Sequence, residues 1–113
     1  MKITKPSISK LHIKLKVIRV LVEYMLKFRD ISGRSHEVVV LDEGSTVRDL
    51  ITLLSSKYGP EFTQQFLNPS GDEVGGNVLI LLNSKLLTTK ELNTVLRDGD
   101  TITLTFTVFG GVN

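Results

Sequence analysis

The sequence predicts an α+β fold in which a mixed sheet packs on one main helix. Residues 101–108 alternate strictly between threonine and apolar residues, which is the two-residue period of a strand with one buried face. Residues 47–58 repeat apolar side chains at three- and four-residue steps, which is the period of a helix. The full order is strand, strand, helix, short helix, strand, strand. In 113 residues, that order favours the β-grasp architecture.

The composition limits the classes of protein to which this chain can belong. The chain is 41% hydrophobic and 23% charged, the usual balance of a soluble globular domain, and its 113 residues suit one domain. It has no cysteine, which excludes a disulfide scaffold, a thiol nucleophile and a Cys-ligated metal. The histidines are His12 and His36, too few for a His-rich metal site. A net charge of +2 is too small to indicate nucleic-acid binding by itself.

Hydropathy gives an expectation for localisation. No apolar run approaches the roughly 20 residues that cross a bilayer. The N-terminal stretch lacks the apolar core and small-residue cleavage site of a signal peptide. We therefore expect a soluble, cytoplasmic protein that does not contact membranes.

Three segments are predicted along the chain. Residues 1–14 carry four lysines and Pro6 and form a basic, flexible N-terminal extension. This extension has three interpretations: a solvated arm, an electrostatic contact with RNA or an acidic partner, or a stretch that precedes a later translation start. Residues 15–109 form the β-grasp domain, and residues 110–113 form a flexible C-terminal tail that contains Gly-Gly.

The first two strands are predicted to form an antiparallel hairpin. The first covers residues 16–28, which are rich in β-branched and aromatic residues. Its even-numbered positions 20–24 share one face, and the mixed opposite face indicates a central strand that is only partly covered. A turn at 29–34 follows, where Gly33 accepts a positive φ, and the second strand is His36–Leu41.

The main helix has both a start and a stop signal. Thr46 and Asp49 have the spacing of a capping box. The Gly59–Pro60 pair ends the helix, since proline lacks a backbone donor. Residues 61–67 are predicted to form a short helical turn, and residues 68–77 a flexible surface loop. The Gly-Gly pair in that loop has no phosphate-binding context.

Two strands close the fold. Residues 78–82 form a continuous apolar run that predicts a strand buried on both faces or nearly so. Tight turns are expected at 83–85 and 97–100, and the alternating strand 101–108 is last. The predicted core consists of Val20, Val22, Tyr24, Val38, Val40, Val47, Leu50, Ile51, Leu54, Leu79, Leu81, Ile102, Leu104 and Phe106.

Catalytic groups are scarce. The acidic pairs at 42–43, 72–73 and 98–100 stand in turns, where carboxylates act as caps and solvated charges more often than as an acid–base pair. His36 borders a strand and is expected to be exposed. No nucleophile elbow and no metal-ligand cluster is present. The unusual feature is Gly110–Gly111 close to the end, which could thread a narrow channel in a partner, although a lone Gly-Gly is weak evidence.

Five motifs stand in an order known from one family. They are R-D-I-S-G at 29–33, a strand, E-G-S-T-V cap and helix at 37–59, V-L-I-L-L-N at 78–83, L-R-D-G-D at 96–100 and V-F-G-G at 108–111. Through them the sequence resembles the MoaD/ThiS family of sulfur carriers, which are ubiquitin-like β-grasp proteins. The resemblance runs from Val20 to Gly111, about four-fifths of the chain.

The resemblance implies a carrier, not an enzyme. In this family the C-terminal glycine carboxylate is adenylated by a partner ubiquitin-activating-like enzyme that uses ATP and is then converted to a thiocarboxylate. The carrier itself binds no cofactor. The implied acceptor of the sulfur is the molybdopterin synthase large subunit or another sulfur acceptor, and the chain's length favours the molybdopterin synthase small subunit over the shorter thiazole carriers.

Two departures from the family pattern bear on this expectation. The Pro-Pro that often precedes the tail is replaced by Phe106-Thr107, and Val112 and Asn113 follow the second glycine. A peptide bond to Val112 leaves no carboxylate at Gly111. A processing protease must therefore remove the last two residues before Gly111 can carry sulfur.

The tail residues receive roles from the resemblance. Gly111 is the covalent carrier terminus after processing, Gly110 keeps the tail narrow, and Val108 and Phe109 anchor the tail in a partner. Val108 also fits the simpler role of last core residue. Phe109 continues the polar threonine face, where an exposed aromatic suggests a contact. The open alternatives are a modifier conjugated through Gly111, a non-covalent β-grasp binding domain, and an RNA-associated domain that uses the basic arm.

Overall fold

A computed structural model describes residues 16–66 and 78–107. The predicted extension 1–14, loop 68–77 and tail 110–113 therefore lie outside the described residues, and the domain bounds 15–109 stay predictions. The helices and strands are β1 Val17–Tyr24, α1 Lys27–Ser32, β2 His36–Asp42, α2 Val47–Tyr58, α3 Pro60–Gln64, β3 Val78–Leu82, β4 Lys85–Leu87 and β5 Thr101–Phe106, with a 3₁₀ turn at Thr89–Glu91.

The sheet has five strands in the order β2-β1-β5-β3-β4. β1 pairs antiparallel with β2 and parallel with β5, and β3 pairs antiparallel with both β5 and β4. One face of this mixed sheet packs against α2. The predicted β-grasp, a ubiquitin-like fold with one main helix, is confirmed.

The main helix α2 begins and ends where its sequence signals predict. The Thr46 hydroxyl accepts a hydrogen bond from the Asp49 N–H, and the Asp49 carboxylate accepts one from the Thr46 N–H, so the capping box is complete. Gly59 follows the helix at φ 88°, a region that glycine adopts without steric cost. The α2 side chains of Val47, Leu50 and Leu54 are fully buried.

The core lies between α2 and the sheet. Eight of the fourteen predicted core residues are buried there: Val20, Val22, Tyr24, Val47, Leu50, Leu54, Ile102 and Leu104. Ile51 and Phe106 are half-buried and pack against them. The short helix predicted at 61–67 is observed as α3, and its Phe62 is buried together with Phe66.

The first strand is shorter than predicted. The structure ends β1 at Tyr24, and the predicted turn at 29–34 is replaced by α1, which buries Phe28. Leu26 reverses the chain with φ 54°, and Gly33 ends α1 in the left-handed region at φ 77°. Propensity favoured a continued strand, but burial of Phe28 among aromatic side chains decides for a helix.

The buried face of β2 is also corrected. Val38 and Val40 are 59% and 54% exposed, and the inward residues are Glu37, Val39 and Leu41. The cause is the register with β1, which aligns Val22 with Glu37, Val20 with Val39 and Ile18 with Leu41. A shift by one residue exchanges the two faces of a strand.

The apolar run in β3 buries one face. Ile80 is buried opposite Leu104, whereas Leu79 and Leu81 are half-buried on the open side of the sheet. The prediction of near-complete burial is therefore too strong for Leu79 and Leu81, and both belong to the open face rather than to the core. Among the described residues, no helix has the length and apolar character that a membrane span requires.

Candidate functional site

The predicted site residues Val108, Phe109, Gly110 and Gly111 lie outside the described residues, which end at Thr107. The structure nevertheless fixes the point from which they continue. β5 is the middle strand of the sheet and runs parallel to β1 and antiparallel to β3. The described part of β5 therefore ends between the end of β1 and the start of β3.

An aromatic cluster holds the end of β5. The half-buried ring of Phe106 stacks on the buried ring of Phe28, with 4.9 Å between centroids and 16° between planes. Phe28 also contacts Phe62 at 5.3 Å and Phe66 at 5.2 Å. Such ring pairs add to ordinary apolar burial. The last described strand is thus fixed to α1 and α3 up to Phe106.

Exposed apolar side chains stand beside this point. Met25 is 41% and Leu26 51% exposed, although both follow a buried strand residue. The Met25 N–H donates to the Leu104 carbonyl at 3.1 Å, which ties this corner to β5. Leu26 has φ 54° and ψ −126°, a backbone region that costs of order 1–3 kcal/mol for a residue with a side chain.

Two shallow depressions flank that corner. One, of about 200 Å³, is lined by Met25, Leu26, Arg29 and Asp30. The other, of about 270 Å³, is lined by Glu23, Tyr24, Met25, Arg29, Ser35 and His36. Both are smaller than the usual pocket for a small-molecule ligand. Their shape suits contact with a protein surface better than capture of a ligand.

The open face of the sheet is partly apolar. Val38 and Val40 are exposed on β2, and Leu79, Leu81 and Leu86 lie on the same face of β3 and β4. A polar stripe separates the two groups, because the β5 threonines lie on this face and the Thr103 hydroxyl donates to Glu23 at 2.9 Å. Exposed apolar groups rimmed by polar residues mark interaction surfaces.

A buried carboxylate, which the sequence analysis did not predict, lies on the inner face of β2. The Glu37 side chain accepts hydrogen bonds from Tyr24 Oη, from Tyr58 Oη at 2.6 Å, from Lys57 Nζ at 2.8 Å and from Arg34 Nη1 at 3.3 Å. These donors come from β1, from α2 and from the turn that precedes β2. The sequence does contain a signal that Glu37 points inward. His36 and Asp42 occupy even-numbered positions of β2, and Glu37 occupies an odd-numbered position on the opposite face.

This network changes the acidity of its members. Burial by itself would raise the pKa of Glu37, but the hydrogen bonds from Lys57, Tyr24 and Tyr58 outweigh it and hold that pKa below its ordinary value. Burial, together with the bond to Glu37, raises the pKa of Tyr24 and of Tyr58. The hydrogen bond to Glu37 raises the pKa of Lys57. Because Glu37 is ionised with its oxygens already occupied, it anchors β2 to α2.

Of the acidic pairs predicted to act in turns, the pair Asp98 and Asp100 does so, and the pair at 72–73 lies outside the described residues. Asp98 accepts from the Arg19 N–H at 2.8 Å, and Asp100 accepts from the Arg97 N–H at 2.7 Å and from Asn83 Nδ2 at 2.9 Å. Within residues 16–66 and 78–107, no cluster of metal-ligating side chains occurs. His36 is exposed, as predicted. What the described site offers is contact surface around the end of β5.

Comparison with known proteins agrees with this geometry. The sequence pattern of the ThiS family matches residues 22–111. No curated protein matches the chain in sequence. The Haloferax volcanii HVO 2177 protein is 25% identical and has a TM-score of 0.68, with 84% of this chain and 88% of that chain covered.

Two further solved structures are similar. The small archaeal modifier protein 1 of Methanosarcina acetivorans is 22% identical with a TM-score of 0.69, and covers 85% of this chain and 99% of its own. In the Helicobacter pylori complex of subunits 1 and 2 of molybdopterin-converting factor, the matched chain is 26% identical with a TM-score of 0.52. The match covers 83% of this chain and 100% of that one. At 22% identity, the likeness to the Methanosarcina acetivorans protein shows the fold alone.

Proposed function

The chain belongs to the ThiS family, whose members are carriers and not enzymes, and we propose that it carries sulfur on Gly111 after Val112 and Asn113 are removed. The observation that carries this proposal is the extent of the family match, which begins in β1 and ends at Gly111. The two residues beyond the match are the ones that block the glycine carboxylate.

The proposed chemistry takes place at the carboxylate of Gly111. Hydrolysis of the Gly111–Val112 peptide bond by a protease consumes one water and releases the segment that begins at Val112. The freed carboxylate attacks the α-phosphate of ATP in a partner enzyme, which forms an acyl-adenylate and releases pyrophosphate. A sulfide donor then displaces AMP and leaves a thiocarboxylate. ATP belongs to the partner, and the carrier supplies only the tail and its contact surface.

Two kinds of partner follow from this proposal. The first is an adenylating, ubiquitin-activating-like enzyme, and the second is a sulfur acceptor. We assign the molybdopterin synthase large subunit as the acceptor, supported by the likeness to a chain of the Helicobacter pylori complex. The proposal includes a cytoplasmic location, which is usual for this family.

Val108, Phe109 and Gly110 are proposed to contact these partners. Met25 and Leu26 support this role, because their exposed side chains stand beside the point where the chain continues from β5. Full burial of a phenylalanine side chain contributes roughly 1.5–3 kcal/mol, or about tenfold or more in affinity. Phe109→Ala is therefore expected to weaken partner binding with little change in thermal midpoint. A midpoint lowered by several degrees with binding intact would place Phe109 in the fold.

Pyrophosphate exchange tests the processing step. A chain that ends at Gly111 is expected to support ATP–pyrophosphate exchange with the activating enzyme, and the full chain is expected to be inert. The matched control ends at residue 111 but carries Gly111→Val, which keeps the carboxylate while adding a branched side chain. Equal exchange by the full and the shortened chain would refute processing. Exchange by neither would favour the non-covalent binding domain.

Intact mass separates the carrier from the modifier. After incubation with activating enzyme, ATP and a sulfide donor, a carrier gains the mass difference between one sulfur and one oxygen atom. A modifier instead appears as a conjugate in which the Gly111 carbonyl forms an isopeptide bond to a lysine amine, with loss of AMP from the adenylate. Conjugates without the sulfur mass change would contradict the carrier proposal.

A further inference from the structure

Among the strands of residues 16–66 and 78–107, β2 forms one edge of the sheet. Two hydrogen bonds just beyond its ends show which of its residues bond to β1. The Tyr24 N–H donates to the Ser35 carbonyl at 2.8 Å, and the Glu43 N–H donates to the Lys16 carbonyl at 3.0 Å. In an antiparallel pair, residues that bond the neighbour alternate with residues that do not. Odd-numbered positions 35–43 therefore bond β1, and the backbone groups of even-numbered positions point toward the free edge.

These edge-directed residues are His36, Val38, Val40 and Asp42. Their side chains are exposed on the open face of the sheet. Proteins usually protect an edge with proline, with a central charge or with a bulge. β2 is seven residues long, its register with β1 is unbroken, and its centre on this face is two valines. The strand thus has the length and surface of a strand that pairs further.

The order of residues along β2 selects an occupant. The strand reads H-E-V-V-V-L-D, so its edge-directed residues are a histidine, two valines and an aspartate, arranged symmetrically about Val39. We propose that β2 pairs antiparallel with β2 of a second copy of this chain, with the two-fold axis at Val39. His36 then lies opposite Asp42 of the second copy, and Val38 lies opposite Val40.

The backbone satisfies this register. At each Val38–Val40 pair, both N–H groups donate to the carbonyl across the axis. At each end, the Asp42 N–H donates to the His36 carbonyl of the other copy. The Asp42 carbonyl already accepts from Ser45, through its N–H at 3.1 Å and its hydroxyl at 2.7 Å. The pairing therefore ends at Asp42 on either side.

Charge supports the antiparallel direction. One end of β2 carries His36 and Arg34, and Lys57 of α2 reaches it through Glu37 at 2.8 Å. The other end carries the exposed acidic groups Asp42 and Glu43. Arg34 and Lys57 are paired with Glu37, and Glu23 of β1 is aligned with His36, so His36 is the group that meets the acidic end. An antiparallel pair places His36 beside Asp42 of the second copy, whereas a parallel pair places the two acidic ends together. A two-residue shift in one direction would set Val38 opposite Asp42. A shift in the other direction would set Val40 opposite His36, and Asp42 would face Arg34, which already pairs with Glu37.

The expected dimer is weak. A single strand edge covers less surface than the 1,600 Å² or so that a standard stable interface buries. We therefore expect a concentration-dependent dimer with a dissociation constant of about 10 µM to 1 mM. This inference does not rest on the proposed sulfur chemistry, because the end of β5 and the free edge of β2 are separate parts of the sheet.

A charge-exchange experiment tests the register. Asp42→Lys sets a lysine opposite His36, and His36→Asp sets two aspartates opposite each other. Each variant alone is expected to dimerise about tenfold or more weakly than the native chain in sedimentation equilibrium. In an equal mixture, the introduced lysine of one variant meets the introduced aspartate of the other, and the native His36 and Asp42 meet at the opposite end. A heterodimer is therefore expected to form with near-native affinity, and this recovery on mixing excludes misfolding as the cause of the loss.

A control and a second variant localise the contact. Lys85→Glu on β4, at the opposite edge of the sheet, is expected to leave dimerisation unchanged. Val40→Pro removes an edge-directed N–H that β1 does not use and is expected to abolish the dimer while the fold remains. Two charge variants that self-associate like the native chain, or a mixture that stays monomeric, would overturn the proposal. So would a native chain that stays monomeric up to about 1 mM. If removal of residues 1–15 then produced the dimer, the edge would belong to the chain's own N-terminal segment.

Discussion

Replacement of Glu37 by glutamine tests whether the buried carboxylate anchors the sheet to the main helix. Tyr24 and Tyr58 donate their hydroxyls to Glu37, and Lys57 and Arg34 reach it from the surface. Glutamine keeps the shape but loses the charge and turns one oxygen into an amide that opposes a donor. Breaking a buried charge network costs about 3–5 kcal/mol. We expect about 3 kcal/mol, because Lys57 and Arg34 are half-exposed and contribute little each.

The pH dependence has a definite sign. Glu37 has a lower pKa in the folded chain than its ordinary value, so it binds protons more readily when unfolded. Its contribution to the free energy of unfolding is complete above the unfolded pKa of about 4.3. The contribution is lost as the pH falls through the lower folded value. The difference between native and Glu37→Gln chains should therefore be constant near neutral pH and shrink below about pH 4.

Urea unfolding at a series of pH values measures this difference. The matched control is Glu23→Gln, an exposed glutamate bonded to Thr103 on the open face, which is expected to change stability by no more than about 0.5 kcal/mol. Tyr58→Phe should cost about 1–1.5 kcal/mol, since it removes one hydrogen bond and leaves the charge paired. A Glu37→Gln penalty below about 1 kcal/mol, or one that persists undiminished in strong acid, would refute the anchoring role.

Three further comparisons, which use four substitutions, test the fold. Leu50→Ala should lower the free energy of unfolding by about 2–5 kcal/mol, because Leu50 is fully buried, and a change within surface-mutation noise would contradict its position on the buried face of α2. Val39→Ala should cost about 1–3 kcal/mol while Val38→Ala costs at most about 0.5 kcal/mol, and the reverse order would overturn the register of β2. Leu26→Gly should leave the thermal midpoint unchanged or raised, because glycine accepts φ 54° without strain, and a lowered midpoint would show that the leucine side chain holds the corner.

Local signals were sufficient for part of the fold. Thr46 and Asp49 define the start of α2, and Gly59 defines its end, all within the helix's own sequence neighbourhood. The alternation of β5 likewise predicts which side chains face inward, and Ile102 and Leu104 are buried as it predicts. These elements were predicted because their buried positions differ in chemistry from their exposed positions.

The face of β2 could not be predicted from its valines. The run Val38–Val39–Val40 places valines on both faces of the strand, so hydrophobicity does not show which face is buried. The decision lies in the ends of the strand, where His36 and Asp42 share one parity and Glu37 and Leu41 share the other. An inward glutamate is tolerated only because four donors, distant in sequence or on neighbouring elements, converge on it. That convergence is a tertiary property.

The corner between β1 and α1 was missed for a similar reason. Its driving residue is Phe28, whose partners come from two later parts of the chain: Phe62 and Phe66 from α3 and the residues just after it, and Phe106 from β5. No local window contains that cluster. The strand-like composition of residues 16–28 therefore dominated the prediction, although the chain reverses at Leu26.

The same cluster links the fold to the proposed function. Phe106 is held by Phe28 in α1, and Met25 is tied to β5 through the Leu104 carbonyl. The corner that exposes Met25 and Leu26 is thus joined to the end of β5 by a ring stack and a backbone hydrogen bond. Glycines carry no side chain by which a partner could distinguish one tail from another. For the proposed carrier, discrimination would then rest on side chains outside the glycines, and we propose that Met25 and Leu26 supply part of that surface.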